Sequence, residues 1–304
     1  KLPAELDEPG ACLPFSSAGT ENPNGVSSDS DFPRSSRGEL KFSLRYCREQ
    51  RELLLTGLEA RALPSRGRAR SAVRIRLLRQ VPSHIPGLQC VVHEWQSPVV
   101  KDCSGPAFAD RVVCSLRDAD VERSTLKLEV QCFDKYSRNA VLGEVRVALR
   151  DLKASESLVL CEDLQKSTKD VVGEVLVSLR CLPVSQRVEV GLLKAKTAPA
   201  CSAANVYARI DVSCRRHRQK PQKSRPRAHA PLIIFNETFL FHMPEPSAWD
   251  CTVLVSLYEV DSDPRHLLGQ ATLGNSRPSD AADHWDLMTK SVQQPVAKWH
   301  PLLI

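Results

Sequence analysis

The chain reads as all-β: two antiparallel β-sandwiches in tandem, with a short helix near the C-terminus of the second. Three observations predict this. Residues 38–45, G-E-L-K-F-S-L-R, return as residues 173–180, G-E-V-L-V-S-L-R, sharing Gly, Glu, Ser, Leu and Arg at a spacing of 135 residues. A long-period repeat of a strand opener means one fold built twice. In both copies the apolar residues alternate, as Leu40, Phe42, Leu44 and as Val175, Val177, Leu179, and period two marks a strand with one buried face. No stretch carries a long helical period, and polar turns separate many short strands.

Each part follows in order. Residues 1–37 are rich in Ser, Pro, Gly and Asn without periodicity, and are expected to be a disordered leader. Residues 38–165 form the first domain. Its opening strand is 40–46, and the apolar run L-L-L-T-G-L follows at 53–58. A basic loop at 64–70 precedes Val73, Ile75 and Leu77, which alternate with Arg74 and Arg76. Leu126, Leu128, Val130 and Cys132 alternate next, then Val145, Val147 and Leu149 after Gly143. Residues 166–172 are a short polar linker, and 173–304 are the second domain in the same order. There 188–195 matches 53–60, and 206–210 matches 72–76 in kind. Residues 235–241, F-N-E-T-F-L-F, form a strand, Val253, Val255 and Leu257 parallel Leu126, Leu128 and Val130, and Gly269 parallels Gly143. Ser279 or Asp280 is positioned to cap a helix carrying His284, Trp285 and Met288. A last strand, 296–302, follows Pro295.

Composition narrows the function. The 304 residues carry a net charge of +6, unevenly spread: the first 37 are net −3 and the remainder net +9. A basic folded body points to an anionic partner. No apolar run approaches the roughly 18 residues a spanning helix needs, and no signal-peptide pattern is present. The chain starts at Lys1 rather than Met, which leaves room for an upstream transmembrane anchor. Eleven cysteines are scattered without a C-x-x-C pair. They read as buried reduced thiols in a reducing cytosol, neither a zinc site nor a disulfide framework. No nucleophile elbow, Walker loop, dinucleotide fingerprint or H-E-x-x-H is present, so nothing supports an enzyme. Asn236-Glu237-Thr238 is a glycosylation sequon, read here as part of a strand.

The densest chemical signal is Arg215, Arg216, Arg218, Lys220, Lys223, Arg225 and Arg227 within thirteen residues. Clusters of four to eight basic side chains are attracted to anionic leaflets by about 1 kcal/mol each. Pro221 and Pro226 should break any strand there. Residues 212–230 contain no Phe, Tyr or Trp, so base stacking lacks its platform and nucleic acid is set aside. Arg66, Arg68, Arg70, Arg74 and Arg76 read as a second, solvated basic face.

The repeated opener, F-N-E-T-F-L-F, the phrase F-D-K-Y-S-R at 133–138 leading to Leu142-Gly143-Glu144, and the close H-W-x-x-M…Q-P-V-A-K-W-H-P-L together resemble the tandem C2 domains of synaptotagmins over residues 38–304. That resemblance implies β-sandwiches whose loops, at one tip, often hold calcium through about five aspartates, since Ca²⁺ takes six to eight hard oxygens. Here those positions are mostly lost. Arg70 stands near one; Cys132, Asp134 and Ala140 occupy three more in the first domain. In the second, Asn205 replaces an aspartate, and Glu259, Asp261 and Asp263 remain as weak metal candidates. No cofactor is therefore expected. The resemblance places the basic segment where the family binds phosphoinositides, clathrin adaptors and SNARE proteins, and makes Trp299, His300 and Leu302 a candidate docking element. It implies a calcium-independent trafficking and exocytosis adaptor at the cytosolic face of a vesicle or plasma membrane, alone or as a homo- or hetero-oligomer. The alternatives are a protein scaffold without a lipid role and a weak calcium sensor in the second domain.

Overall fold

The computed structural model describes residues 37–64, 70–101, 105–133, 139–152, 156–199, 204–214, 217–243, 251–260, 266–274 and 280–304. Residues 1–36 of the leader, most of the loop at 64–70, Asp134, Arg215, Arg216, Asp261, Asp263 and Ser279 lie outside them.

The chain forms two compact units. The first carries β1 (Glu39–Cys47), β2 (Glu52–Arg61), β3 (Arg70–Gln80), β4 (Gln89–Gln96), β5 (Ala107–Ser115), the short α1 (Asp118–Val121), β6 (Ser124–Phe133), β7 (Asn139–Ala148) and β8 (Ser157–Asp163). Its two sheets run β5-β2-β1-β8 and β4-β3-β6-β7. The second carries β9 (Val171–Leu182), β10 (Arg187–Thr197), β11 (Asn205–Cys214), the two-residue strands β12 (His217–Arg218), β13 (Gln222–Lys223) and β14 (Arg227–Ala228), then β15 (Leu232–His242), β16 (Cys251–Glu259), β17 (Leu267–Gly274), α2 (Asp280–Lys290) and β18 (Val296–Leu303). Its strands run β15-β10-β9-β18 and β11-β16-β17, with β12, β13 and β14 all along the outer side of β11. One pair, Gln270 with Leu303, joins the two halves. Strand for strand, the topology repeats.

The alternation that predicted the strands is the alternation that is buried. Leu40, Phe42 and Leu44 face the first core with Val73, Ile75, Leu77, Leu126, Leu128 and Val130. Val175, Val177 and Leu179 are buried in the second unit, as are Phe235, Phe239 and Phe241. Trp285 and Met288 of α2 are buried too, so the helix covers the second unit with one face. The opener needs its glycine: a Cβ on Gly173 would lie 2.3 Å from the Lys196 carbonyl oxygen.

Three expectations change. β9 begins at Val171, inside the stretch read as linker, because Asp170 and Ile304 already exchange backbone hydrogen bonds of 3.0 Å. The cysteines are not all thiols: Cys214 and Cys251, directly opposed on β11 and β16, form a disulfide. The solvated basic face of the first domain is absent at Arg74 and Arg76, both of which pair with Glu94.

Candidate functional site

β11 presents Tyr207, Arg209, Asp211 and Ser213 on its outer face while Val206, Ala208, Ile210 and Val212 are buried. The basic segment runs along its edge in an interrupted register. Arg218 pairs with Ser213, Lys223 with Arg209 and Arg227 with Val206. Between the first two pairs β11 advances four residues against five, and between the next two, three against four. Each step holds one extra residue, a bulge, in the intervals that contain Pro221 and Pro226. Proline has no N–H for the ladder, so the strand breaks there.

Breaking the ladder does not loosen the segment. Buried Ser224 fills one gap: its hydroxyl accepts from the Ala208 N–H at 2.8 Å and donates to the Arg225 carbonyl at 3.0 Å. Ser97 does the same in the first unit, accepting from the Val73 N–H at 2.9 Å and donating to the Pro98 carbonyl at 2.9 Å. Across the open side of the sandwich, the segment also ties down the edge of β15. The Gln219 amide donates to the His242 carbonyl and accepts from the His242 N–H, as a backbone neighbour would. Gln222 donates to the Leu240 carbonyl at 2.8 Å, and Arg227 to that of Phe235 at 3.2 Å. The Arg225 N–H donates to both Glu237 carboxylate oxygens. An exposed strand edge is thereby covered.

The predicted cations thus divide. Arg227 is occupied, with Glu237 3.6 Å away. Arg218, Lys220, Lys223 and Arg225 are exposed on a fixed backbone. Arg218, whose side chain is 76% exposed, lies 3.9 Å from Asp211, itself held in two hydrogen bonds by Arg209. Lys223 sits 5.2 Å above the Tyr207 ring, which stacks on Tyr258.

The same face of the first unit is electrically closed. Arg76, 5% exposed, pairs with Glu94 at 2.6 Å and Glu129 at 3.3 Å. Lys127, 1% exposed, lies 3.2 Å from Glu144 and 3.5 Å from Glu129. Arg146 reaches Glu144 at 2.6 Å. Burial alone would raise the Glu144 pKa, but the hydrogen bonds from Arg146 and Ser167 and the charge of Lys127 bring it down to about 2. Residues 165–168 lie across this network. Gln165 and Glu144 exchange backbone hydrogen bonds of 2.9 Å, beside Gly143, whose Cβ would be 2.7 Å from the Gln165 oxygen. The Ser167 hydroxyl is 2.9 Å from both Glu129 and Glu144. Thr168 accepts from Lys127 at 2.7 Å through its carbonyl and donates to Glu144 through its N–H and hydroxyl. The basic face expected at Arg74 and Arg76 is corrected accordingly: cross-strand carboxylates neutralise it.

Of the docking candidates, only Trp299 faces outward, half-buried, with Lys196 4.5 Å over its ring. His300 and Leu302 are 3% and 1% exposed and belong to the core, correcting their reading as a contact surface. His300 is held there by His284. The Val296 carbonyl accepts from His284 Nε2 at 2.7 Å, which leaves His284 Nδ1 to accept from His300 Nε2 at 2.7 Å. Both rings are neutral: burial lowers the pKa of each, and the neighbouring His284 helps bring His300 to about 4.

At the ligand positions that the described residues include, oxygen donors are few. Cys132 offers sulfur, Ala140 nothing and Arg70 a like charge, while Glu259 is engaged by His266 at 3.2 Å. Among the described residues no group of three or more His, Cys, Asp or Glu could hold a metal ion.

Comparison with known proteins decides the family. A model described as C2 domain matches residues 51–164 and 186–288. The chain belongs to the C2-domain family. Synaptotagmin-6 of Mus musculus is 26% identical over 279 residues, covering 88% of this chain and 52% of that protein. Synaptotagmin-11 of Homo sapiens is 27% identical over 281 residues, covering 87% of this chain and 63% of that protein. The solved first C2 domain of human synaptotagmin XIII is 22% identical, with a TM-score of 0.36, and matches 47% of this chain and 96% of that one. The chain is a synaptotagmin-like tandem C2 protein. It spans between about half and just under two thirds of the length of these curated relatives. Among the described residues, no helix is long and apolar enough to cross a membrane.

Proposed function

We propose that the second C2 unit docks the protein on anionic membrane lipids, phosphoinositides among them, without calcium, and that the chain serves as a non-enzymatic trafficking adaptor. The observation that carries this is the anchoring of the basic segment. Gln219, Gln222 and Ser224 fix its backbone while Arg218, Lys220, Lys223 and Arg225 stay exposed. Four such side chains give about 4 kcal/mol of attraction to an anionic leaflet before screening, about 1 kcal/mol each. Arg215 and Arg216 precede them in the sequence. A poor cation-binding tip makes the contact constitutive, at the cytosolic face of a vesicle or plasma membrane. SNARE or clathrin-adaptor proteins with acidic surfaces suit the same cations.

Co-sedimentation of the full chain with phosphoinositide-containing liposomes tests this. Equal binding in chelator and in calcium, weakening with salt, is the expected result. Binding only in calcium would overturn the reading and return Glu259, Asp261 and Asp263 to the metal-ligand role.

A second reading, a protein scaffold, is favoured by one surface. On the outer face of β15, β10, β9 and β18, Ile234, Lys194, Leu176 and Trp299 stand side by side in register. Ile234 and its neighbour Leu232 are 56% and 48% exposed. Partner binding there would survive high salt, because apolar contacts are little screened.

A further inference from the structure

We propose that Ser167 is a phosphorylation site that releases residues 165–168 from the first unit. The segment is a strap. Its last tie to the first unit is Thr168, and Asp170 is already held by Ile304 in the second. Lys169 lies between these two ties in the sequence.

The strap rests on a dense charge network. Arg74, Arg76, Lys127 and Arg146 face Glu94, Glu129 and Glu144, with Arg74 the most distant at 4.0 Å from Glu94. Ser167 enters as a donor: its hydroxyl oxygen lies 2.9 Å from a carboxylate oxygen of each of Glu129 and Glu144, with one proton to share between them. A phosphate at that oxygen donates nothing to carboxylates at neutral pH and brings a charge near −2. Two carboxylates and a phosphate would then share a largely buried site whose nearest cations, Lys127 and Arg146, already face Glu129 and Glu144, and removing excess charge from water is costly. The strap comes off instead.

Access is built in. Lys166, Thr168 and Lys169 are exposed and Ser167 is partly so, so the segment peels without unfolding β8. The Ser167 oxygen takes the γ-phosphoryl group of ATP in a kinase. An O–P bond forms, the bond from phosphorus to the β,γ-bridging oxygen breaks, ADP leaves with that electron pair, and the hydroxyl proton passes to the kinase base. Residues 165–169 then become free connecting chain, and each adds at most about 3.3–3.6 Å of reach.

Trypsin reads the strap directly, because Lys166 and Lys169 lie on either side of the hydroxyls. The full chain is treated with ATP and a panel of basic-directed Ser/Thr kinases, with a peptide covering residues 160–175 as a positive control. The phosphorylated chain and Ser167→Glu are then digested under native conditions. Cleavage at both lysines about tenfold faster than in the untreated chain, with the second unit's thermal transition unmoved, is expected. Ser167→Ala, which loses the donor without adding charge, should be cleaved about two- to threefold faster. A phosphorylated chain cut at the untreated rate would overturn the release. A chain that takes no phosphate at Ser167 while the peptide does would overturn the site.

Discussion

The outer faces of β3-β6-β7 and β11-β16-β17 are one surface in two copies, and they have come to opposite electrostatic ends. In the first unit the arginines of β3 stand beside the glutamates of β4 and β6, and the strap covers Lys127, Glu129 and Glu144. In the second, Arg209 is taken by Asp211 on its own strand, and the added cations arrive on an edge segment with few acids opposite. Counting arginines therefore says little about surface potential. What matters is the residue across the strand, which can be far away in sequence: Arg76 and Glu129 are 53 residues apart.

The comparison can be broken most severely at Lys127. Lys127→Met leaves Glu129 and Glu144 without their shared buried cation, and breaking a buried pair this way costs about 3–5 kcal/mol. Calorimetry should show the first unit's transition falling by about 6 °C or more, given about 2–8 °C per kcal/mol across domains of 60–250 residues, with the second's unchanged. A shift of only a degree or two would mean that the network is solvated.

Acid should separate the units in the other order. His300 has a folded pKa of about 4, below its ordinary 6.5. The unfolded chain binds the proton more readily, so this contribution is complete above pH 6.5 and is lost as pH falls toward 4. Glu144, at about 2 against 4.5, contributes fully above 4.5 and loses its share between there and 2. The second unit should therefore soften first, between pH 6.5 and 4, when melting is followed against pH. Loss of the first unit in that window, with the second intact, would contradict the assignment.

A smaller effect tests the anchoring. Gln219→Ala with Gln222→Ala removes the amide ties to β15 but no charge. Hydrogen exchange at His242 should rise, and liposome affinity should fall about two- to threefold, since each lost tie is worth about 1 kcal/mol at most. Unchanged affinity would mean that the cations need no fixed backbone.

The central strands were legible, and so were two edges, β7 through Val145 and Val147 and β15 through the phenylalanines of 235–241. β1, β6, β9 and β16 have neighbours on both sides and alternate plainly. β4, β5 and β8 escaped notice, and all three are sheet edges. An edge strand has one neighbour and one wet flank, so its apolar signal is thin: Val113 of β5 and Val159 of β8 are 42% and 51% exposed. The basic segment was legible as composition and its breaks as prolines, but its footing on Gln219 and Gln222 was not. Glutamine carries no sign of which backbone it will meet. The strap was hidden for the same reason, reading as polar linker because its partners lie 21–41 residues away. His300 was recoverable: two residues before Leu302, it shares that residue's buried face, and period two alone places it inside.

The most direct test sets the two faces against each other. The 304-residue chain is compared on anionic liposomes in chelator, with Arg218, Lys220, Lys223 and Arg225 changed to Gln in one variant and Arg74 and Arg146 changed to Gln in another. The first should lose about tenfold or more in affinity after salt screening, and the second should bind within about twofold of the parent, because its cations are already matched. Equal losses in both variants, or a larger loss in the second, would contradict the assignment of docking to the second unit.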